Sequence, residues 1–229
     1  MSYSEFHSGT GEDAWIVEHI KNLPDKGVFV DVGAASAIFR NNTYYFEKNG
    51  WTGICIDADP HWFKECDGKC GEPSTCQSLT KYRKQCLNVA VGDSNKMVTF
   101  NQCHRGVLSH RDDIEHLHEI TKWTNDVVNK IEIQQRTLNS IVEEYSINKI
   151  DLMSIDVEVM DYEVWNSFDY KKCPVDILII EYYHMGKDKF KELMENFHSD
   201  YSLVYDGGAN FIYLHKRVKY DYDTKLWWE

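Results

Sequence analysis

One stretch constrains this chain more than any other: Val28-Phe29-Val30-Asp31-Val32, closed by Gly33-Ala34-Ala35-Ser36. It is short, β-branched and bounded by small residues, the pattern of a strand buried on both faces of a parallel sheet. The segment from about Phe39 to Asn49 carries Phe39, Tyr44, Tyr45 and Phe46 and ends in Asn49-Gly50, a helix stop. Gly53-Ile54-Cys55-Ile56-Asp57 reads as a second strand, and Asp59-Pro60 opens a short helix. Strand, helix and strand in that order form a βαβ unit, so the sheet is at least partly parallel.

The alternation continues. Strands are predicted at Leu87–Val91, Val98–Asn101, Ile150–Asp156 and Val175–Glu181, and helices at Thr137–Tyr145, Tyr162–Phe168 and Lys187–Phe197. Tyr201–Tyr205 and Asn210–His215 flank Asp206-Gly207-Gly208 and read as a closing antiparallel pair. The expected architecture is a Rossmann-like α/β fold: a mostly parallel central sheet, an antiparallel closing pair and helices on both faces. A length of 229 residues suits one domain over 1–229, with a helical extension at 1–26. The stretches 67–82 and 104–129 fit no regular element and read as insertions or lid loops.

The formal net charge of −12 repels phosphate backbones, so duplex nucleic acid is not expected as a partner. Lys81, Arg83 and Lys84 form the densest basic cluster. No apolar run is long enough for a membrane span, and the polar N-terminus does not read as a signal peptide, so the expected compartment is cytoplasmic. Seven cysteines argue against a disulfide framework. Cys66, Cys70, Cys76 and Cys86 lack the paired spacing of a zinc site and read as free thiols.

Ligands of open parallel sheets bind at the carboxyl ends of the strands, which makes polar residues there suspects. The first strand ends in Asp31, Gly33, Ala34, Ala35 and Ser36. A dinucleotide turn would have further glycines where Ala35 and Ile38 stand. The loop suits a ligand without pyrophosphate and with a positive end, such as S-adenosylmethionine. The second strand ends in Asp57-Ala58-Asp59. Asp57 lies 24 residues after Gly33, where an acid can bind ribose hydroxyls, and Asp59 reads as a helix cap. Asp156 and Glu158 share a face at the next strand end. They can hold a cationic cofactor and its substrate, bind a divalent cation such as Mg²⁺, or cap the following helix. Beyond Glu181, His184 is the candidate general base.

These residues resemble a known family. Phe29-Val30-Asp31-Val32-Gly33-Ala34, Asn42-Thr43-Tyr44-Tyr45-Phe46-Glu47-Lys48, and the run from Gly50 to Pro60 are similar to the FkbM-type methyltransferases. So are Asn88-Val89-Ala90-Val91-Gly92-Asp93, the run from Ile150 to Glu158, and Asp176 to Glu181. Gly11-Glu12-Asp13 resembles the acidic signature that often opens the family domain, so the likeness spans about residues 8 to 184. It implies a class I methyltransferase fold, S-adenosylmethionine as cofactor, and transfer of methyl to a hydroxyl of a sugar, glycan or natural product. By position, Asp31, Gly33 and Ala34 would line the methionine end and Asp57 the ribose. Ala90, Val91 and Asp93 would lie near the adenine. Catalysis would fall to His184 or to the Asp156/Glu158 pair, with Glu181 in the same pocket; alternatively a cation held by Asp156 and Glu181 would acidify the hydroxyl. Val159 stands where the family usually has glycine, which implies a remodelled loop or an altered activity. The competing readings are a non-catalytic binding module of the same fold and an NAD-dependent oxidoreductase or epimerase.

Overall fold

The structure, a computed structural model, describes residues 5–65, 77–103, 108–114, 121 and 128–221. In chain order its elements are α1 (Glu12–His19), β1 (Val28–Val32), α2 (Tyr44–Lys48), β2 (Thr52–Asp57), α3 (Leu79–Tyr82), β3 (Cys86–Asn88), β4 (Ala90–Val91), β5 (Lys96–Cys103), β6 (His110–Arg111), β7 (Val128–Arg136), α4 (Leu138–Glu144), β8 (Ile150–Ile155), α5 (Asp161–Ser167), β9 (Val175–Glu181), α6 (Lys187–Phe197), β10 (Tyr201–Asp206) and β11 (Asn210–His215). A 3₁₀ turn, Pro60–Phe63, follows β2, and Asp59 caps it by accepting a hydrogen bond from the His61 amide.

The central sheet has seven strands in the order β10-β11-β9-β8-β1-β2-β3. The five from β9 to β3 are mutually parallel. β11 runs antiparallel to both β9 and β10, the expected closing pair. Side chains alternate between two cores, as the strand period of two requires. Val30, Ile54, Met153 and Leu178 pack with Leu138 of α4, Trp165 of α5 and Phe190 of α6. Phe29, Cys55, Leu152 and Ile177 pack on the other side with Ile16 of α1, Phe46 of α2 and Leu79 of α3. Helices therefore cover both faces, and the fold is the Rossmann-like α/β class. Among the described residues no helix is long and apolar enough to cross a membrane.

Three local expectations are corrected. The single strand expected at Leu87–Val91 is two strands in two sheets: β3 closes the central sheet, while β4 pairs with β7. The Asn88 side-chain amide donates to the carbonyls of Asp57 and Ala58, which ends the first pairing. The helix expected from Phe39 is confined to Tyr44–Lys48. Asn41 prevents an earlier start: its Nδ2 donates to the carbonyls of Ala34 and Ser36, and its Oδ1 accepts from the amides of Thr43 and Tyr44. Third, a second sheet, β4-β7-β5-β6, stands beside the first. Its long antiparallel pair, β5 with β7, runs through eight registered positions from Lys96↔Gln135 to Cys103↔Val128. Of the expected lid segments 67–82 and 104–129, residues 67–76, 104–107, 115–120 and 122–127 lie outside the described residues, with Cys70 and Cys76, as does the neighbouring Cys66; the rest holds regular elements that were not expected there, α3, β6 and the start of β7. Cys86 stands in register with Cys55 across β2 and β3.

The basic cluster does not form a surface patch. Arg83 is buried and ion-pairs through Nε with Glu47, and its Nη1 lies 3.7 Å from Asp31. It also donates to Asn41 Oδ1 at 2.9 Å and Thr43 Oγ1 at 2.6 Å, and sits over the Phe29 ring at 5.2 Å. Burial pushes the Asp31 carboxyl up, against the opposing pull of Arg83, Thr43 and Asn41. Arg83→Met keeps the apolar stem but strands two buried carboxylates. It is expected to cost about 3–5 kcal/mol in urea unfolding. A loss below about 1 kcal/mol would show that the buried charges do not brace this side of the sheet.

Candidate active site

Strand register builds the site. Val32 is level with Ile56 on one side and Ile155 on the other, and Ile155 is level with Ile180. The next residue on each strand therefore falls in one row across the carboxyl edge: Asp57, Gly33, Asp156 and Glu181. Neighbouring strands are about 4.8 Å apart, so three carboxyl groups crowd one edge, with Gly33 making room between two of them. Gly33 has φ of +76°, and a Cβ on it would collide with the Asp156 carbonyl oxygen. No other residue fits this approach of the β1 loop to the end of β8.

A cleft of about 310 Å³ opens above this row. The β1 loop contributes Gly33, Ala35, Ser36, Phe39 and Arg40, and β2 contributes Asp57 and Ala58. The β8 end contributes Asp156, Val157 and Glu158. Val89, Ala90, Val91 and Phe100 make one end apolar, and Ser109, Arg111 and Gln135 reach in from the second sheet. Arg111 is already neutralised there. Its guanidinium meets both oxygens of Asp113 at 2.5 and 2.7 Å, and its Nη1 donates to Gln135 Oε1.

Nine of the residues expected at the site line this cleft: Gly33, Ala35, Ser36, Asp57, Ala58, Ala90, Val91, Asp156 and Glu158. Five lie off it. Asp31 is buried in the Arg83 network, accepting from Asn41 and Thr43. Ala34 is buried, with its amide donating to the Ile56 carbonyl. Asp93 is exposed and accepts from Ser94. Glu181 and His184 stand behind Glu158: His184 Nε2 is 2.9 Å from Glu158 Oε2, and the ligand atoms of Glu158, Glu181 and His184 lie within 4.8 Å of one another. Asp156, Asp161 and Glu181 form a second such group. Sequence reasoning missed Asp161, which is buried and accepts a hydrogen bond from the Val157 amide. It also missed Phe100, Arg111 and Gln135, the part of the wall that β5, β6 and β7 supply. The alternation Ile131, Ile133, Gln135 in β7 was the available signal for that wall.

Electrostatics follow from the crowding. Burial, with the charges of Asp156, Asp161 and Glu158, pushes Glu181 up to about 10. Burial raises Asp161 to about 7, and it raises Asp156 well above the usual carboxylate range, helped by Glu158. Burial also raises Asp57 to about 7, although the amides of Ala35 and Asp59, each donating at 2.8 Å, favour its charged form. His184 is raised by its hydrogen bond to Glu158. The edge thus combines neutral acids, a hydrogen-bonded Glu–His pair and a clamped aspartate.

The loop after β8 is strained. Glu158 has φ of +55° and Val159 of +81°, a left-handed conformation that a β-branched side chain resists. Val159 thus holds a positive φ that glycine adopts without cost.

A family model described as a methyltransferase FkbM domain matches residues 31–204. Comparison with curated proteins and with solved structures gave no match.

Two outcomes are expected. Val159→Gly relieves the left-handed valine and should raise stability by about 1 kcal/mol, the strain relief of about 1–3 kcal/mol less the entropy cost of glycine. Unchanged or lower stability in denaturant unfolding would mean that the loop carries no strain. The second concerns pH. Unfolded Glu and Asp titrate near 4.3 and 3.9, below the folded values of Glu181 and Asp161. The folded chain therefore keeps protons that the unfolded chain has released. That stability is present in mild acid and is lost as pH rises through about 7 for Asp161 and about 10 for Glu181. In metal-free buffer Glu181→Gln should raise the thermal midpoint more at about pH 8 than at about pH 5, by roughly 2–4 °C per kcal/mol gained. An equal shift at both pH values would contradict the buried-acid assignment.

Proposed function

Because the chain belongs to the FkbM methyltransferase family, we propose that it transfers the methyl group of S-adenosylmethionine to a hydroxyl oxygen of a sugar, glycan or small natural product. The observation that carries this reading is a single cleft with an apolar end and a carboxylate floor, set on the carboxyl edge of the sheet. The residues present fit the cofactor. Val89, Ala90, Val91 and Phe100 offer an apolar seat for a purine. Asp57, its carboxylate oriented by two backbone amides, is suited to accept ribose hydroxyls. Asp156 and Glu158 are acids that a cationic group beside them would favour in their charged form, and Gly33 keeps the floor open.

S-adenosylmethionine, when bound, supplies an electrophilic methyl group carried on a positively charged sulfur. An alcohol acceptor must give up its proton as its oxygen takes the methyl. Glu158 lines the cleft and His184 does not, so Glu158 is the group that takes that proton. His184 holds the Glu158 carboxylate through the 2.9 Å hydrogen bond and is a positioning residue. This chooses between the two bases, His184 and the Asp156/Glu158 pair, that the sequence leaves open. The close approach of Asp156, Asp161 and Glu181 supports a second reading, in which a divalent cation on Asp156 and Glu181 acidifies the hydroxyl.

The test is incubation with S-adenosylmethionine and a panel of sugar and natural-product alcohols, with methylated products read by mass spectrometry. Glu158→Gln should cut turnover by about 10²–10⁴-fold. His184→Gln keeps a donor toward Glu158 and should lose less while shifting the pH profile. Equal losses in the two variants would return the base to His184. Loss of turnover on chelation, restored by Mg²⁺, would favour the cation. Cofactor binding with no product from any acceptor would favour a non-catalytic binding module.

A further inference from the structure

Arg40 is unlike the other described arginines. Arg83, Arg111, Arg136 and Arg217 each ion-pair with a carboxylate, whereas no described acid pairs with Arg40. This is notable in a chain of net charge −12, where acids are plentiful. Arg40 nevertheless lines the cleft, whose other cation, Arg111, is neutralised by Asp113.

The side chain is exposed, with Gly9 beside its aliphatic stem: a Cβ added to Gly9 would meet its Cβ, Cγ and Cδ at 3.7 Å. Its guanidinium sits over the Phe39 ring, 5.5 Å from the centroid. Its backbone is left-handed, with φ of +53°, a conformation unfavourable for arginine. Ala35 and Glu158, on the same cleft, share that left-handed backbone. Such strain gathers where surrounding structure fixes a side chain for a purpose.

The cleft thus presents separated groups: the acids Asp156 and Glu158 at the β8 end and an unneutralised guanidinium on the β1 loop. A purely cationic ligand would be repelled by Arg40, and a purely anionic one by the carboxylates. A ligand end bearing both an ammonium and a carboxylate satisfies both. We propose that Arg40 binds the α-carboxylate of the cofactor's amino-acid end, with the ammonium directed to Asp156 and Glu158. The planar guanidinium suits a carboxylate through two parallel N–H donors. The assignment rests on the S-adenosylmethionine reading above and adds to it the group that reads the amino-acid end.

The test is titration calorimetry of the full chain with two ligands: S-adenosylhomocysteine, and 5′-methylthioadenosine, which shares the adenosine but lacks the amino acid. Arg40→Gln should weaken S-adenosylhomocysteine by about 10- to 100-fold and leave 5′-methylthioadenosine within about 2-fold. Arg40→Lys keeps the charge without the fork and should fall between. Asp57→Ala, the control at the ribose, should weaken both ligands alike. Unchanged S-adenosylhomocysteine affinity in Arg40→Gln, or an equal loss for both ligands, overturns the Arg40 assignment and leaves the cofactor reading standing. Failure of the unmodified chain to bind S-adenosylhomocysteine overturns the cofactor reading and the Arg40 assignment with it.

Discussion

A buried guanidinium organises the ligand edge of this protein. Arg83 gathers Asp31 at the end of β1, Ala37, Asn41 and Thr43 in the following loop, and Glu47 in α2. Every cleft residue of the β1 loop lies between the first and last of those anchors. The loop has little regular structure of its own, so its shape comes from these charge-assisted bonds. A network of this kind is stable only when complete, because each carboxylate would be costly to bury alone. Asp31 thus bears on the site through the backbone it fixes.

The site itself is a study in enforced repulsion. Parallel pairing sets Asp57, Asp156 and Glu181 at one height, and packing encloses them. Folding tolerates this because part of the cluster stays protonated: Glu181, pushed up to about 10, is a neutral acid at physiological pH. The cost of holding these groups together is offset by the two cores on either side of the sheet. A positive charge placed beside Asp156 and Glu158 would relieve part of the repulsion that remains.

The succession of parallel strands and the carboxyl edge were legible because parallel βαβ units write themselves as short β-branched runs ending in Gly or an acid. Val28–Val32 and Val175–Glu181 have in the structure the bounds read from sequence. The second sheet was not legible as a sheet. β7 alternates apolar and polar residues, but its β4 partner is two residues long and its β5 partner lies across a long connection, so no local pattern announces the pairing. The site divides along the same line. Gly33, Asp57 and Asp156 sit at strand ends, where position implies chemistry. Arg40 lies in an irregular loop, and its meaning depends on the absence of an acid partner among the described residues, which only three-dimensional packing reveals. The choice between Glu158 and His184 is of the same kind, since three residues after a strand leave direction open.

The span that marks the family, residues 31–204, stops short of β11. Yet β11 is an interior strand, hydrogen-bonded to β9 on one side and β10 on the other. Its first residue, Asn210, also reaches Glu12 of α1, while Tyr205 of β10 donates to the Thr10 carbonyl. The two ends of the chain are thereby stitched together next to Glu181. The unit of recognisable descent is therefore smaller than the unit of folding. A fragment trimmed to the recognisable part would leave β10 with no neighbour and expose both edges of a gap in the sheet. Modularity in this protein belongs to the whole circuit of the chain, with the segments least distinctive in sequence acting as its clasp.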